Sequence, residues 1–367
     1  GNIYVGCLFF CFEGSFQSFP MKYAVAACQT DFPCPRDRSE ISSRVDRMLA
    51  MVDSAVVGYK PFYPVRLVVF PEFAHAAPVY ATARELREKL AVELPGEHTE
   101  RYEKKAREHG IYIQTGSFIE MDPAWPGVVF NTTCLVGPEG ILYKYRKVNP
   151  WLPWEVHASP HDLPGYSDEL FPVARTEIGN IGCAICYDWL YPEAIRELAL
   201  GGAEILIRVS AYMDPWGATP PMDWWTVINR SRALENMAYV VASNQGASLE
   251  NYPPFSWPGG SMVVDYDGRV LAQADPGPGE KIVVTEVDIG SLREARSERL
   301  GHNPLAHLRS SAYTGRQAEF YPGGTFGAAA EEAGDRTVEE NEQAIRDVLR
   351  ENPWKAGGNP GSGSQAD

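Results

Sequence analysis

Short apolar runs alternating with helix-like segments constrain this chain more than any other feature. Leu67-Val68-Val69-Phe70 and the segments 178–185, 204–209 and 238–243 carry too few polar residues to mark a wet side. A strand that is apolar on both faces must be covered on both faces. Between these runs lie segments with helical spacing and punctuation. Segment 39–56 is amphipathic, 99–109 is charged and closed by Gly110, and 192–200 opens on Pro192, which suits a first helical position. Further strands are predicted at 23–29, 66–70, 111–119 and 129–136, and near Phe171. Gly137-Pro138-Glu139-Gly140 turns the chain back into 141–145. Another helix is expected at 223–236, and a hairpin around Asp265-Tyr266-Asp267-Gly268 closes the set. Hairpins mixed with crossovers predict an α/β chain with two packed mixed sheets between helix layers.

Composition narrows the partners. The 367 residues are 44% hydrophobic, enough for one large or two small cores. A formal charge of −15 excludes a nucleic-acid partner, which is held chiefly by Lys and Arg, and fits an uncharged or cationic small substrate. Seven cysteines without framework spacing read as reduced thiols in a cytoplasmic protein. No run approaches the roughly 18 apolar residues of a membrane span. Residues 1–20 are apolar and aromatic, lack a basic start and include Glu13, so they make a poor secretory signal and are expected to precede the core as an extension. The core domain is expected over 21–315. Residues 316–367, Gly/Ala-rich, then helical over 337–352, then Gly/Ser-rich, are expected to form an arm or tail.

Four residues sit where the chain leaves, or has just left, an apolar strand. Cys186 ends the run 181–185 and precedes a polar turn; Glu72 follows Phe70-Pro71; Lys147 follows Tyr145-Arg146; Glu155 lies in the loop 149–155. Strand ends in layered α/β folds fix side chains rigidly while leaving their heads accessible. A thiol, a carboxylate and an ammonium suffice for acyl transfer: the carboxylate takes the thiol proton, the thiolate attacks, and the ammonium stabilises the developing charge. Taken singly, each has a plainer reading as buried filler, salt-bridged edge or solvated strand end. Cys183 and Cys186 form a Cys-x-x-Cys pair, but their odd separation in an extended strand sends them to opposite faces, so Cys183 reads as core. His157 and His161 flank Ser159-Pro160, which breaks any helix, and read as loop residues rather than metal ligands. Trp224-Trp225 reads as packing.

Phe70-Pro71-Glu72, Tyr145-Arg146-Lys147 and Cys186-Tyr187-Asp188 resemble, in order and separation, the Glu, Lys and Cys motifs of the nitrilase superfamily of carbon–nitrogen hydrolases. Segments 229–236 and 240–245 resemble its downstream helix and strand, and the likeness spans 22–315. Tyr191-Pro192-Glu193 and Asn149-Pro150-Trp151-Leu152-Pro153-Trp154-Glu155 resemble the aliphatic amidase and formamidase branch. The resemblance implies a four-layer α-β-β-α sandwich, a homo-oligomer, no metal, no cofactor and a thioester intermediate. It assigns Glu72 as general base, Lys147 as stabiliser of the tetrahedral intermediate, Cys186 as nucleophile and Glu155 as a positioning aid. The Tyr187 N–H is the implied oxyanion donor, with Trp151 and Tyr212 at the substrate. The expected reaction is hydrolysis of a small uncharged carboxamide, formamide included, to acid and ammonia. A nitrilase or an N-carbamoyl amide hydrolase would use the same residues, and a catalytically silent binding module is the reading from another class. Two segments put the acyl group in doubt. After Glu72 the chain reads Phe73-Ala74-His75-Ala76-Ala77-Pro78, where amidases more often have tyrosine then glycine. The Trp/Pro-rich loop 212–225 is placed to admit something bulkier or aromatic.

Overall fold

A computed structural model describes residues 21–248, 256–313 and 337–351. The elements run β1 (Lys22–Gln29), α1 (Ile41–Tyr59), β2 (Val65–Val69), α2 (Ala83–Lys89), α3 (Glu97–His109), β3 (Tyr112–Gln114), β4 (Phe118–Glu120), β5 (Phe130–Gly137) and β6 (Gly140–Arg146). They continue with β7 (Val173–Thr176), β8 (Gly179–Ile185), α4 (Pro192–Leu200), β9 (Ile205–Ser210), α5 (Trp224–Asn236), β10 (Tyr239–Asn244), β11 (Met262–Val264), β12 (Val270–Gln273), β13 (Lys281–Asp288), α6 (Ile289–Glu298) and α7 (Val338–Glu351).

Two mixed sheets form the centre. The first has the order β13-β1-β2-β3-β5-β4, with β6 also on β5; the second runs β12-β11-β10-β9-β8-β7. Within each, parallel pairs (β1/β2/β3 and β8/β9/β10) are flanked by antiparallel ones. The doubly apolar strands explain the layering. Along β1, Tyr23, Val25 and Ala27 face the core between the sheets, whereas Ala24, Ala26 and Cys28 face outward onto α1. Residues of α4 and α5 close the outer side of the second sheet, which completes the α-β-β-α sandwich. Polar ties also cross between sheets: Ser243 Oγ donates to the Val69 carbonyl at 2.9 Å, and Tyr23 Oη to that of Ile178.

Three expectations needed correction. The strand predicted over 111–119 breaks into β3 and β4 at Gly116, where a Cβ would stand 2.3 Å from Ala74 Cβ and 2.6 Å from the Pro71 carbonyl oxygen. The hairpin at 265–268 does not close the set, because β13 returns to pair antiparallel with β1 along its whole length, Lys22 opposite Asp288. Helix α2 was also missed; Thr82 caps it by accepting from the Glu85 N–H. The segment expected to precede the core lies outside the described residues, as does most of 316–367, of which α7 is described.

Candidate active site

The ends of strands from both sheets meet at one point. Glu72 follows β2 of the first sheet; Cys186 follows β8 of the second. Gln245, just past β10, donates its Nε2 to the Glu72 carbonyl at 2.8 Å, and the Glu72 N–H reaches the Ser210 carbonyl at 3.3 Å. Lys147 arrives by simple pleat alternation. On β6, Lys144 and Arg146 turn to the buried carboxylate of Glu120. Tyr145 faces the other way, towards Asp188, and Lys147 next along the chain turns into the site. The basic run that looked like a solvated strand end therefore divides into two cations gathered on Glu120 and one ammonium that enters the site.

The Lys147 ammonium is fully buried. It lies 2.8 Å from Glu72 Oε1 and 3.0 and 2.7 Å from the two oxygens of Glu155. Glu72 also accepts from Asn131 Nδ2 at 2.8 Å and from the Ala211 N–H at 3.0 Å. Burial raises the Glu72 carboxyl above the ordinary carboxylate range, against the pull of Lys147. Burial would raise Glu155 too, but Lys147, His157 and the Trp151 N–H together hold it below that range. Both carboxylates lift the Lys147 pKa despite burial, so its ammonium stays charged. The Cys186 thiol is pushed up to about 12, by burial first and then by the negative field of Glu72, with Lys147 and Arg208 opposing. At neutral pH the thiol thus rests protonated beside a carboxylate with raised proton affinity.

Cys186 carries a left-handed φ of 44° in the turn that opens immediately after β8. Such a conformation costs a non-glycine residue about 1–2 kcal/mol and persists only where its surroundings fix it. Asp188 does the fixing. Its fully buried carboxylate accepts from Tyr145 Oη, the Ile185 N–H, and both the N–H and Nδ2 of Asn149. One acceptor thereby ties the turn of Cys186 to the strand and loop that carry Lys147. Cys183 is core, as expected, but because β8 ends at Ile185 and Cys186 leaves the pleat, not by alternation alone.

Glu155 is held from three sides: by Lys147, by the Trp151 N–H at 2.6 Å, and through its backbone. Asn341 of α7, itself buried, donates Nδ2 to the carbonyls of Pro153 and Glu155 at 2.9 and 3.1 Å. Part of the segment expected to be a tail therefore buttresses the loop of the second glutamate. His157 is buried beside Glu155 (3.7 Å), where burial lowers its pKa to about 4 and keeps the ring neutral.

A cavity of about 240 Å³ opens onto Glu72, Lys147, Glu155 and Cys186. Tyr187, Trp151 and Tyr212 line it. The segment after Glu72 contributes Phe73, Ala77 and Pro78 but not His75. That ring is buried between the Ser117 carbonyl and Tyr102 Oη and stacks on Phe118. Trp225 is packing, donating Nε1 to the Gly260 carbonyl, whereas its neighbour Trp224 borders the cavity. Trp216 lies in the loop 212–225 expected to shape the pocket, whereas sequence reasoning missed Asn131, Phe32, Trp154 and Trp257. Asn131 gave no signal, sitting in an otherwise ordinary strand 59 residues from the carboxylate it serves.

Residues 24–297 match the carbon–nitrogen hydrolase family, and the chain belongs to it. It is a hydrolase of carbon–nitrogen bonds. A formamidase of Bacillus thuringiensis (strain Al Hakam) is 30% identical over 295 residues, covering 79% of this chain and 81% of the relative. Among solved structures, Saccharomyces cerevisiae Nit3, a member of branch 10 of the nitrilase superfamily, superposes with a TM-score of 0.61 at 25% identity, covering 76% of this chain and 95% of Nit3. An amidase from Nesterenkonia sp. AN1 shares the fold at 19% identity and a TM-score of 0.57, covering 79% of this chain and 95% of its own.

Proposed function

We propose that the protein hydrolyses a primary carboxamide to the carboxylic acid and ammonia through a thioester on Cys186. The observation that carries this reading is the buried Glu72–Lys147–Glu155 cluster meeting a protonated thiol at the mouth of a cavity. Glu72 takes the Cys186 proton as Sγ adds to the amide carbonyl carbon. Lys147 and the Tyr187 N–H, one of the unpaired donors of a helical turn, stabilise the oxyanion. The C–N bond breaks and Glu72 returns the proton to the leaving ammonia. Glu72 then draws a proton from a water, whose oxygen attacks the thioester; the C–S bond breaks, the acid leaves, and Glu72 returns the proton to Cys186 Sγ. Glu155 touches no reacting atom in this scheme; it holds Lys147 charged and in place. The relative at 30% identity supports amide over nitrile as substrate.

Release of ammonia from carboxamides tests the proposal, with the acyl-enzyme sought by intact mass. Cys186→Ala is expected to abolish both. Full turnover by that variant refutes the mechanism, and a hundredfold preference for nitriles or ureido compounds refutes the amide assignment. A homo-oligomer in the cytoplasm fits two further features. Val227 and Leu234, seven residues apart on α5, and Leu200 on α4 expose apolar side chains on the outer helix layer, and Cys28, Cys134, Cys183 and Cys186 are free thiols. No described helix is long and apolar enough to cross a membrane.

A further inference from the structure

The cavity is far larger than a formyl group needs, and its lining is rich in aromatic rings. Nine of its eighteen lining residues are aromatic. They fall into groups. Trp151, Trp154 and Trp216 form one, with ring centroids 4.4, 5.9 and 5.4 Å apart. Phe32 and Trp257 form another, stacked at 4.5 Å, with the Phe73 ring edge-on to Phe32. Among the described residues, the only charged ones in the lining are Glu72, Lys147 and Glu155, and these are buried and bonded to one another. No other described lining residue offers a counter-ion to a charged acyl group.

Resting on the amidase reading, we propose that the acyl group this site accepts ends in a flat, uncharged aromatic ring. With the amide carbon at Cys186 Sγ, a formyl or acetyl group would leave the tryptophan and phenylalanine faces against water. An aryl group one or two bonds from the carbonyl fills that space and meets rings in stacked and edge-on orientations, where aromatic pairs gain beyond their buried area. The chemistry is unchanged: Sγ–C forms, C–N breaks, ammonia leaves with the proton that Glu72 carried, and water releases the aryl-bearing acid. Tyr212 joins the wall to the framework. Its Oη donates to the Trp216 carbonyl at 3.1 Å, and the buried Arg208 guanidinium lies 5.3 Å from its ring centroid.

Ammonia release by the full chain is measured with formamide, acetamide, phenylacetamide, cyclohexylacetamide and 4-(trimethylammonio)phenylacetamide. The expected result is a kcat/KM for phenylacetamide at least about tenfold above those for acetamide, cyclohexylacetamide and the cationic analogue, the range hydrophobic pockets discriminate. Trp154 and Trp216 are half-exposed, so Trp154→Ala and Trp216→Ala are expected to keep the fold, checked by an unchanged Tm. Each is expected to lower the phenylacetamide-to-acetamide ratio by about fivefold or more. Preference for formamide or acetamide overturns the proposal and leaves the amidase reading standing. Preference for the cationic analogue, or for cyclohexylacetamide, also overturns it, assigning the rings to charge or to shapeless apolar bulk. Ammonia from none of the amides, with nitriles hydrolysed, overturns the reading beneath it.

Discussion

Lys147→Met offers the sharpest test of how the site is held together. The substitution keeps the length and removes the charge from a side chain that is 0% exposed, leaving Glu72 (2%) and Glu155 (6%) as two buried carboxylates without their cation. Removing one partner of a buried pair typically costs about 3–5 kcal/mol, because the other charge stays desolvated. For a chain of 367 residues, with an unfolding entropy of about 2.1 cal/mol/K per residue, each kcal/mol lowers Tm by about 1.3 °C, so the variant should melt roughly 4–7 °C below wild type at pH 7. The loss should depend on pH with a definite sign. Without Lys147 the carboxylates bind protons more tightly folded than unfolded, so stability is regained at low pH and lost as pH rises through their raised pKa. Adding Glu155→Gln removes one of the stranded charges and should restore part of the Tm, while activity stays at least about a hundredfold down for want of the oxyanion's cation. Calorimetry on the two variants, with ammonia release alongside, decides the matter. A Lys147→Met protein that melts at or above wild type, or a double variant that melts below it, would refute the reasoning.

Three other outcomes follow from the geometry. His157 is held neutral with its pKa lowered from 6.5 to about 4; the unfolded chain binds its proton first, so stability falls as pH drops from about 6.5 towards 4. That window holds on the order of 3 kcal/mol and should flatten in His157→Gln, measured by urea unfolding across pH. Gly116→Ala places a methyl against the turn that carries Glu72; a displacement of about 1 Å there should cost roughly a hundredfold in kcat, far out of proportion to the loss of Tm. Asn341→Ala leaves the Pro153 and Glu155 carbonyls unpaired, costing about 1–3 kcal/mol, and should lower kcat by loosening Glu155, as steady-state kinetics would show.

Much of the site was legible because its residues stand at strand ends, and strand ends are visible as apolar runs that stop. Glu72, Lys147 and Cys186 each follow such a run, and α4 begins at Pro192 because proline both permits and marks a helix start. The parts that could not be read depend on partners remote in sequence. β13 has only two buried positions out of eight and carries Lys281, Glu286 and Asp288, so it lacks the doubly apolar signature; only its pairing with β1 makes it a strand. Gly116 looked like part of one continuous strand until Ala74 and Pro71 occupied the space a side chain would need. His75 fell in the segment expected to line the pocket, yet its ring turns away to Tyr102 and Ser117, which no local pattern specifies. Asn341 is the extreme case: a polar residue in a charged helix, buried only because a loop 186 residues earlier presents two carbonyls to it.

The tryptophans that frame the cavity carry a consequence beyond substrate choice. Trp151, Trp154, Trp216, Trp224 and Trp257 are five of the nine in the chain, so most of the protein's indole emission originates within reach of whatever occupies the site. The enzyme is thereby its own optical reporter. Loading, acylation and product departure should each change the intensity or wavelength of that emission, and stopped-flow mixing could time the steps separately without a label or a coupled assay.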